Sequence, residues 1–147
     1  MNILSAKKII ESGALNEQFS LLYQDVETAK ARYVKALERF EEIYGDRDNI
    51  RIFSAPGRTE VGGNHTDHQH GRVIAGSVDL DIIGVVSARN DNIVKVKSEG
   101  FKMDEIDISK LEIDEAETGH AAALIRGMYA NFAKRSYTYG GFDAYTT

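Results

Sequence analysis

The run Ala55-Pro-Gly-Arg-Thr-Glu-Val-Gly-Gly-Asn-His-Thr-Asp-His-Gln-His-Gly71 holds the only proline of the 147-residue chain, three of its four histidines and four of its thirteen glycines. Glycine and proline disfavour regular structure. A run that concentrates them beside Arg, His and Asp therefore predicts a loop that bears a site, not a core element. The hydrophobic pattern is helical before this run and extended after it, so the run marks the switch in an α+β chain.

Upstream, Ser5 is placed to cap a short helix over Ala6 to Ser12, with Leu4 and Ile9 as a hydrophobic staple and Gly13 as the stop. From Asn16 onward, Phe19, Leu22, Val26, Ala29, Tyr33, Leu37, Phe40 and Tyr44 recur in steps of three and four, and Gly45 follows as a C-cap. This spacing predicts one long amphipathic helix. A coiled-coil seam would share the spacing, but the apolar positions here are aromatic and alanine-rich where a seam favours Leu and Ile. The pattern therefore reads as a helix laid across a sheet. Arg51 to Ala55 then forms a short strand leading into Pro56, whose ring biases Ala55 towards extended geometry.

Downstream, Ile74, Val78, Leu80, Ile82 and Val86 share one face of a period-two ladder, and Val73, Ala75, Ile83 and Val85 share the other. Apolar residues on both faces predict a strand that is buried on both sides, or that bends between two sheets near Gly76. Asp79 and Asp81 within it require partners, and structural pairing is the expected reading. Arg89 to Asn92 is a turn and Ile93 to Lys97 a return strand, so residues 82 to 97 read as a hairpin. Phe101 to Met103 and Ile106 to Ile108 suggest short edge strands. Thr118 is placed to cap a helix whose buried face is Ala121, Leu124, Ile125, Met128 and Phe132, with His120 near its start. Gly140-Gly141 ends this helix, and Phe142 to Thr147 opens as a strand.

The fold expected is thus a single α+β domain, with N-terminal helices and a mixed, largely antiparallel sheet. It divides into a helical extension over residues 1–45 and a remainder over residues 50–147. A chain ending on a strand that has just begun to alternate suggests a truncated domain, and an unpartnered terminal strand would favour a homodimer or swapped dimer. The composition, 42% hydrophobic and 28% charged with seven tyrosines and six phenylalanines, belongs to a globular chain and excludes disorder. A net charge of -5 argues against a nucleic-acid surface. No apolar run approaches a membrane span and no signal peptide begins the chain. With no cysteine there is neither disulfide nor thiolate chemistry, and the expected location is cytoplasmic.

The residue types of the central run narrow its chemistry. Arg58 is a permanent cation able to grip an anionic oxygen, and Asp67 accepts hydrogen bonds from paired hydroxyls. Asn64 and His65 both donate and accept, which suits the hydroxyls of a sugar. His68 and His70 with Asp67 also permit a metal reading. No second ligand cluster completes such a site, so a sugar-contacting or structural role is preferred. A phosphate loop is excluded, because the run lacks Gly-x-x-x-x-Gly-Lys-Ser/Thr.

Ser54-Ala-Pro-Gly-Arg58 followed by Gly63-Asn-His65-Thr-Asp67 resembles the galactokinase signature, commonly Ala-Pro-Gly-Arg-x-Asn-x-x-Gly-Glu-His-Thr-Asp-Tyr. Ala123-Leu-Ile-Arg-Gly127 and Gly140-Gly-Phe-Asp-Ala144 resemble that family's following helix and strand, so the similarity runs in order over about residues 50 to 147. The resemblance implies the N-terminal part of a GHMP-kinase fold, also described as ribosomal protein S5 domain 2-like. It implies an enzyme that moves the γ-phosphate of ATP, with Mg2+, to the anomeric hydroxyl of galactose or a related hexose. By that resemblance Arg58 lies near the transferring phosphate, and His65 and Asp67 hold sugar hydroxyls. Asn64 stands where the common signature has Glu. It keeps a carbonyl acceptor, loses the charge and gains a donor, and it remains able to bind a sugar hydroxyl. The family's ATP-phosphate loop, Pro-x-Gly-x-Gly-Leu-Ser-Ser-Ser, and its catalytic aspartate do not occur within residues 1–147, so this stretch alone is expected to be inactive. A non-catalytic sugar-sensing module on the same fold is the alternative.

Overall fold

The computed structural model describes residues 1–63 and 70–147. Four helices, α1 (Ile3–Glu11), α2 (Asn16–Leu22), α3 (Val26–Tyr44) and α4 (Ala121–Lys134), accompany five strands. The strands are β1 (Arg51–Gly62), β2 (Ile74–Ala88), β3 (Ile93–Ser98), β4 (Met103–Asp107) and β5 (Phe142–Thr146), in the spatial order β1-β2-β5-β3-β4. Every pairing is antiparallel except β3 with β5. The expected mixed, largely antiparallel α+β arrangement is therefore present.

α1 is the separate short helix expected, but α2 and α3 are two elements where one long helix from Asn16 is expected. The three-and-four spacing continues through Leu22 and Val26, but the backbone leaves the helix at Tyr23, which is extended at φ -133° and ψ 142°. Asp25 then opens α3, its carboxylate accepting from the Thr28 amide at 3.0 Å and from the Thr28 hydroxyl at 2.7 Å. A side chain that satisfies a free N-terminal amide makes a new helix start cheaper than helical continuation. Similarly, α1 is capped by Asn2, which accepts from the Ser5 amide at 2.9 Å, so Ser5 itself is not the cap. Gly45 does close α3, at φ 75°.

Both faces of the sheet are used. On one, Ala29, Tyr33, Ala36, Leu37 and Phe40 of α3 pack with Ile3, Ala6 and Ile10 of α1 against Ile83, Val85 and Tyr145. A fully buried Leu or Phe contributes about 1.5–3 kcal/mol, so this face supplies most of the apolar stabilisation. The N-terminal helices thus share one core with the sheet. On the other face, Val94, Ile106 and Ile108 pack with Tyr129 of α4.

That second layer corrects three expectations. Thr118 ends a short 3-10 turn at Glu115–Glu117, and His120 occupies the N-cap position of α4. The packed face of α4 is Ala122, Ile125 and Tyr129, while Leu124 and Met128 are exposed. Residues 82–97 are not a hairpin, because β5 lies between β2 and β3 and pairs with both. Being central, β5 has no free edge, which removes the reason for expecting it to pair with another chain. Among the described residues no helix is long and apolar enough to cross a membrane.

Candidate functional site

The central run is a strand for its first half. β1 continues past Pro56 and Arg58 to Gly62 and pairs with β2 throughout, where a loop from Ala55 was expected. Pro56 is tolerated because β1 is an edge strand, where a missing amide donor interrupts no second ladder. The pairing slips between Pro56, opposite Asp81, and Arg58, opposite Ser77, so that Gly57 alone faces residues 78–80. A β-carbon at Gly57 would lie 3.1 Å from the Leu80 carbonyl oxygen, closer than ordinary van der Waals contact, so the bulge favours a residue without one. Beyond the bulge, β1 and β2 form a two-stranded ribbon, since β5 pairs only with Gly84 to Ala88 of β2. Val61, Ile74 and Leu80 are exposed on this ribbon, so the expectation that β2 is buried on both sides holds only for its second half. At the far end Gly63 adopts φ 107°, and a β-carbon there would sit 2.5 Å from the Arg72 carbonyl oxygen.

Arg58 lies on this ribbon and is exposed; among the described residues its side chain has no hydrogen-bond or ion-pair partner, and β2 is the only strand beside it.

 Asn64, His65 and Asp67, expected to hold sugar hydroxyls, lie outside the described residues, as does His68 of the metal reading. His70 is described; it is exposed and adopts φ 55°.

The base of the ribbon is held by a buried polar cluster. The Asp81 side chain, 4% exposed, lies 2.8 Å from Arg32 of α3 through Oδ1. Its Oδ2 accepts from the Ser54 hydroxyl at 2.6 Å and from the Tyr23 hydroxyl at 2.5 Å. The Arg32 guanidinium also donates to the Asp81 backbone carbonyl at 3.0 Å. Oδ1 has the ion pair but no well-aligned hydrogen bond, so Arg32 acts on it as a near charge. One residue after Tyr23, the Gln24 amide donates to Asp79 at 3.2 Å. Both aspartates are therefore structurally paired, as expected. A cavity of about 200 Å³ lies between these groups, walled by Leu22, Pro56, Val78 and Leu80. Sequence reasoning found the aspartates but not their partners, because Tyr23 and Arg32 come from elements some 50 residues away and carry no motif. The same holds for a larger concavity of about 660 Å³ on the opposite face, lined by Ile82, Phe101, His120 and Thr146 among others.

Burial pushes the Asp81 carboxyl upward, but the hydrogen bonds from Ser54 and Tyr23 and the adjoining Arg32 guanidinium outweigh it, leaving the group below the usual 3.8. Burial, then the hydrogen bond to Asp81, raises the Tyr23 phenol above the ordinary tyrosine range, so it stays a donor at neutral pH. A carboxylate lowered in the folded state contributes stability above its unfolded value, and that stability is lost as pH falls through the folded value. Asp81→Asn is therefore expected to be less stable than the parent near neutral pH, with the gap closing as pH drops below about 4, the unfolded value. Urea titrations of both proteins across this range check it; a constant gap would refute it.

The ribbon coincides with a known sequence signature. The galactokinase galactose-binding signature matches residues 38–88, from the second half of α3 through β2. The chain is related to the galactokinases. A galactokinase of Lactococcus lactis subsp. cremoris is 34% identical over 80 residues, which cover 54% of this chain and 20% of the relative. A galactokinase of Bacillus subtilis is 30% identical over 106 residues, covering 71% of this chain and 27% of the relative. The chain thus spans between a fifth and about a quarter of the length of these curated relatives. The crystal structure of Lactococcus lactis galactokinase complexed with galactose superposes with a TM-score of 0.63 at 29% identity, over 74% of this chain and 29% of that one. Methanococcus jannaschii mevalonate kinase superposes with a TM-score of 0.51 at 12% identity, over 69% of this chain and 33% of that one, a likeness of fold alone. The fold is that of the GHMP kinases, as the sequence resemblance implied.

Proposed function

We propose that residues 1–147 form the galactose-binding-signature part of a galactokinase-like sugar kinase, which transfers the γ-phosphate of ATP to the anomeric hydroxyl of galactose in the cytoplasm. The observation that carries this reading is the match of the signature to residues 38–88, the segment that contains the ribbon bearing Arg58. Asn64, His65 and Asp67 hold the sugar hydroxyls, and Arg58 offers a fixed positive charge to the phosphoryl group. Phosphoryl transfer depends chiefly on positioning and charge stabilisation, so an exposed arginine beside hydroxyl-binding groups suits it. ATP with Mg2+ supplies the phosphoryl group in that family. The donor-phosphate loop and the catalytic base fall outside residues 1–147, so this stretch binds sugar and does not itself phosphorylate it. Asn64 favours one second reading, a sugar sensor without kinase activity, because the signature's carboxylate is absent at that position.

Isothermal titration of the 147-residue chain with galactose, with glucose as comparison, is expected to show selective binding of galactose. A kinase assay of the longer gene product is expected to show galactose phosphorylation. Binding without phosphorylation favours the sensor. Absence of both overturns the proposal.

A further inference from the structure

The joint between α2 and α3 meets the base of the ribbon. Tyr23, the residue at which the helix breaks, sends its hydroxyl to Asp81, and Gln24 gives its backbone amide to Asp79. Asp79 and Asp81 flank Leu80, where β2 bulges opposite Gly57 of β1. The clamp is therefore applied where the ribbon leaves the sheet. Past this point the ribbon has no neighbouring strand, and Arg58 is the first residue after the bulge. A two-stranded ribbon is marginal alone in water and twists freely, so its direction must be set at its root.

Three side chains from three parts of the chain meet Asp81 at that root, Tyr23 after α2, Arg32 of α3 and Ser54 of β1, and Tyr33 of α3 backs them with its hydroxyl 2.8 Å from that of Tyr23. Phe19 stacks edge-on against Tyr33 at 4.9 Å between ring centroids and fixes the aromatic pair from behind. The three-and-four apolar pattern would have supported an unbroken helix, so the break has a structural product: it turns the Tyr23 hydroxyl and the Gln24 amide towards β2. We infer that Asp81 and Tyr23 are positioning residues, joining the α2–α3 joint to the root of the β1–β2 ribbon and thereby setting where the ribbon and its Arg58 point. The inference rests on the proposed sugar site for its functional consequence, but its structural content stands apart from it.

The absence of cysteine in the chain permits a direct test. Spin labels on Thr59→Cys in the ribbon and Glu38→Cys on α3 report the ribbon's direction as a distance distribution, and galactose affinity is measured on the same proteins. In Tyr23→Phe and Asp81→Asn the distribution is expected to broaden at least about twofold, and galactose affinity to fall about tenfold. A control pair inside the sheet, Arg51→Cys with Lys97→Cys, stays narrow. Asp79→Ala removes an acceptor at an exposed position, keeps the protein folded should the other variants fail, and is expected to broaden the distribution to a lesser degree. A ribbon distribution as narrow as the parent's in all folded variants overturns the inference. So does a broadened ribbon with unchanged galactose affinity in a protein that binds galactose. If the parent binds no galactose, the sugar reading fails by itself, and the ribbon distribution alone decides for or against the clamp.

Discussion

Replacing Arg89 by Met is expected to destabilise the fold by about 3–5 kcal/mol, the cost of breaking a buried ion pair from one side. Asp143 at the start of β5 is 1% exposed, and Arg89 at the end of β2 meets its Oδ1 at 2.8 Å. The same guanidinium grips Asp91 of the β2–β3 turn through Nε at 2.8 Å and Nη2 at 2.6 Å. Arg47, between α3 and β1, reaches Asp143 only at 3.3 Å and is 42% exposed. Without Arg89 the buried carboxylate keeps one distant, half-solvated partner. Arg47→Met is accordingly expected to cost no more than about 1 kcal/mol, the range of exposed pairs. The double replacement Arg89→Met with Asp143→Leu removes the stranded charge and is expected to recover much of the loss. Chemical denaturation of the three variants checks this order. Equal, small losses for the two arginines would mean that solvent reaches Asp143 and that the network contributes little.

The size of that effect follows from topology that local patterns do not encode. β2 and β3 are joined by the short turn at Arg89 to Asn92, and β3 alternates as a hairpin strand should, so adjacency in sequence suggests adjacency in space. β5 instead enters between them from some 45 residues further on, and the Arg89–Asp143–Asp91 cluster stitches that insertion. Hydrophobic periodicity reports which face of an element is buried, but it says nothing about which partner lies beside it. The face assignment also failed where two apolar stripes share one helix: Leu124, Met128 and Phe132 keep helical spacing as well as Ile125 and Tyr129 do, yet only the latter set meets the sheet.

Local chemistry was read more reliably where one residue acts alone. Gly45 closes α3 because only a residue free of a β-carbon takes that φ cheaply. The break at Tyr23 was hidden because Leu22 and Val26 stay in phase across it, although Asp25 with Thr28 three residues later is a capping pattern in its own right. In the central run the glycines mark special backbone, but strand occupies most of the described part of it. Gly57 and Gly63 allow a bulge and a tight approach within a long strand pair, where their density had suggested a loop. The signature itself was legible from residue types, since Arg, Asn, His and Asp in a glycine-rich setting suit an anion and hydroxyls. The groups that hold it in place were not, because Tyr23, Arg32 and Ser54 are unremarkable until folding brings them to Asp81.

On the proposed kinase reading, Arg58→Ala in a polypeptide that also carries a donor-phosphate loop is expected to lower kcat by about 10²–10³, the usual cost of losing one charge-stabilising donor from a transition state. Its stability effect should stay within about 0.5 kcal/mol, because the side chain is exposed on a ribbon and removing it empties no core. The two effects separate a functional arginine from a structural one. If Arg58 addresses the phosphoryl group, the KM for galactose should change little while kcat falls, since an interaction made only in the transition state leaves ground-state binding intact. Asp67→Ala is expected to behave oppositely, with galactose binding lost in the 147-residue chain itself. Arg58→Lys keeps the charge but not the planar fork, and an intermediate kcat would show that bidentate geometry matters as well as charge. Steady-state kinetics on these variants, with sugar titration of the short chain beside them, distinguish the roles. An unchanged kcat in Arg58→Ala would remove Arg58 from the chemistry, and a galactose KM raised as strongly as by Asp67→Ala would make it a sugar ligand instead.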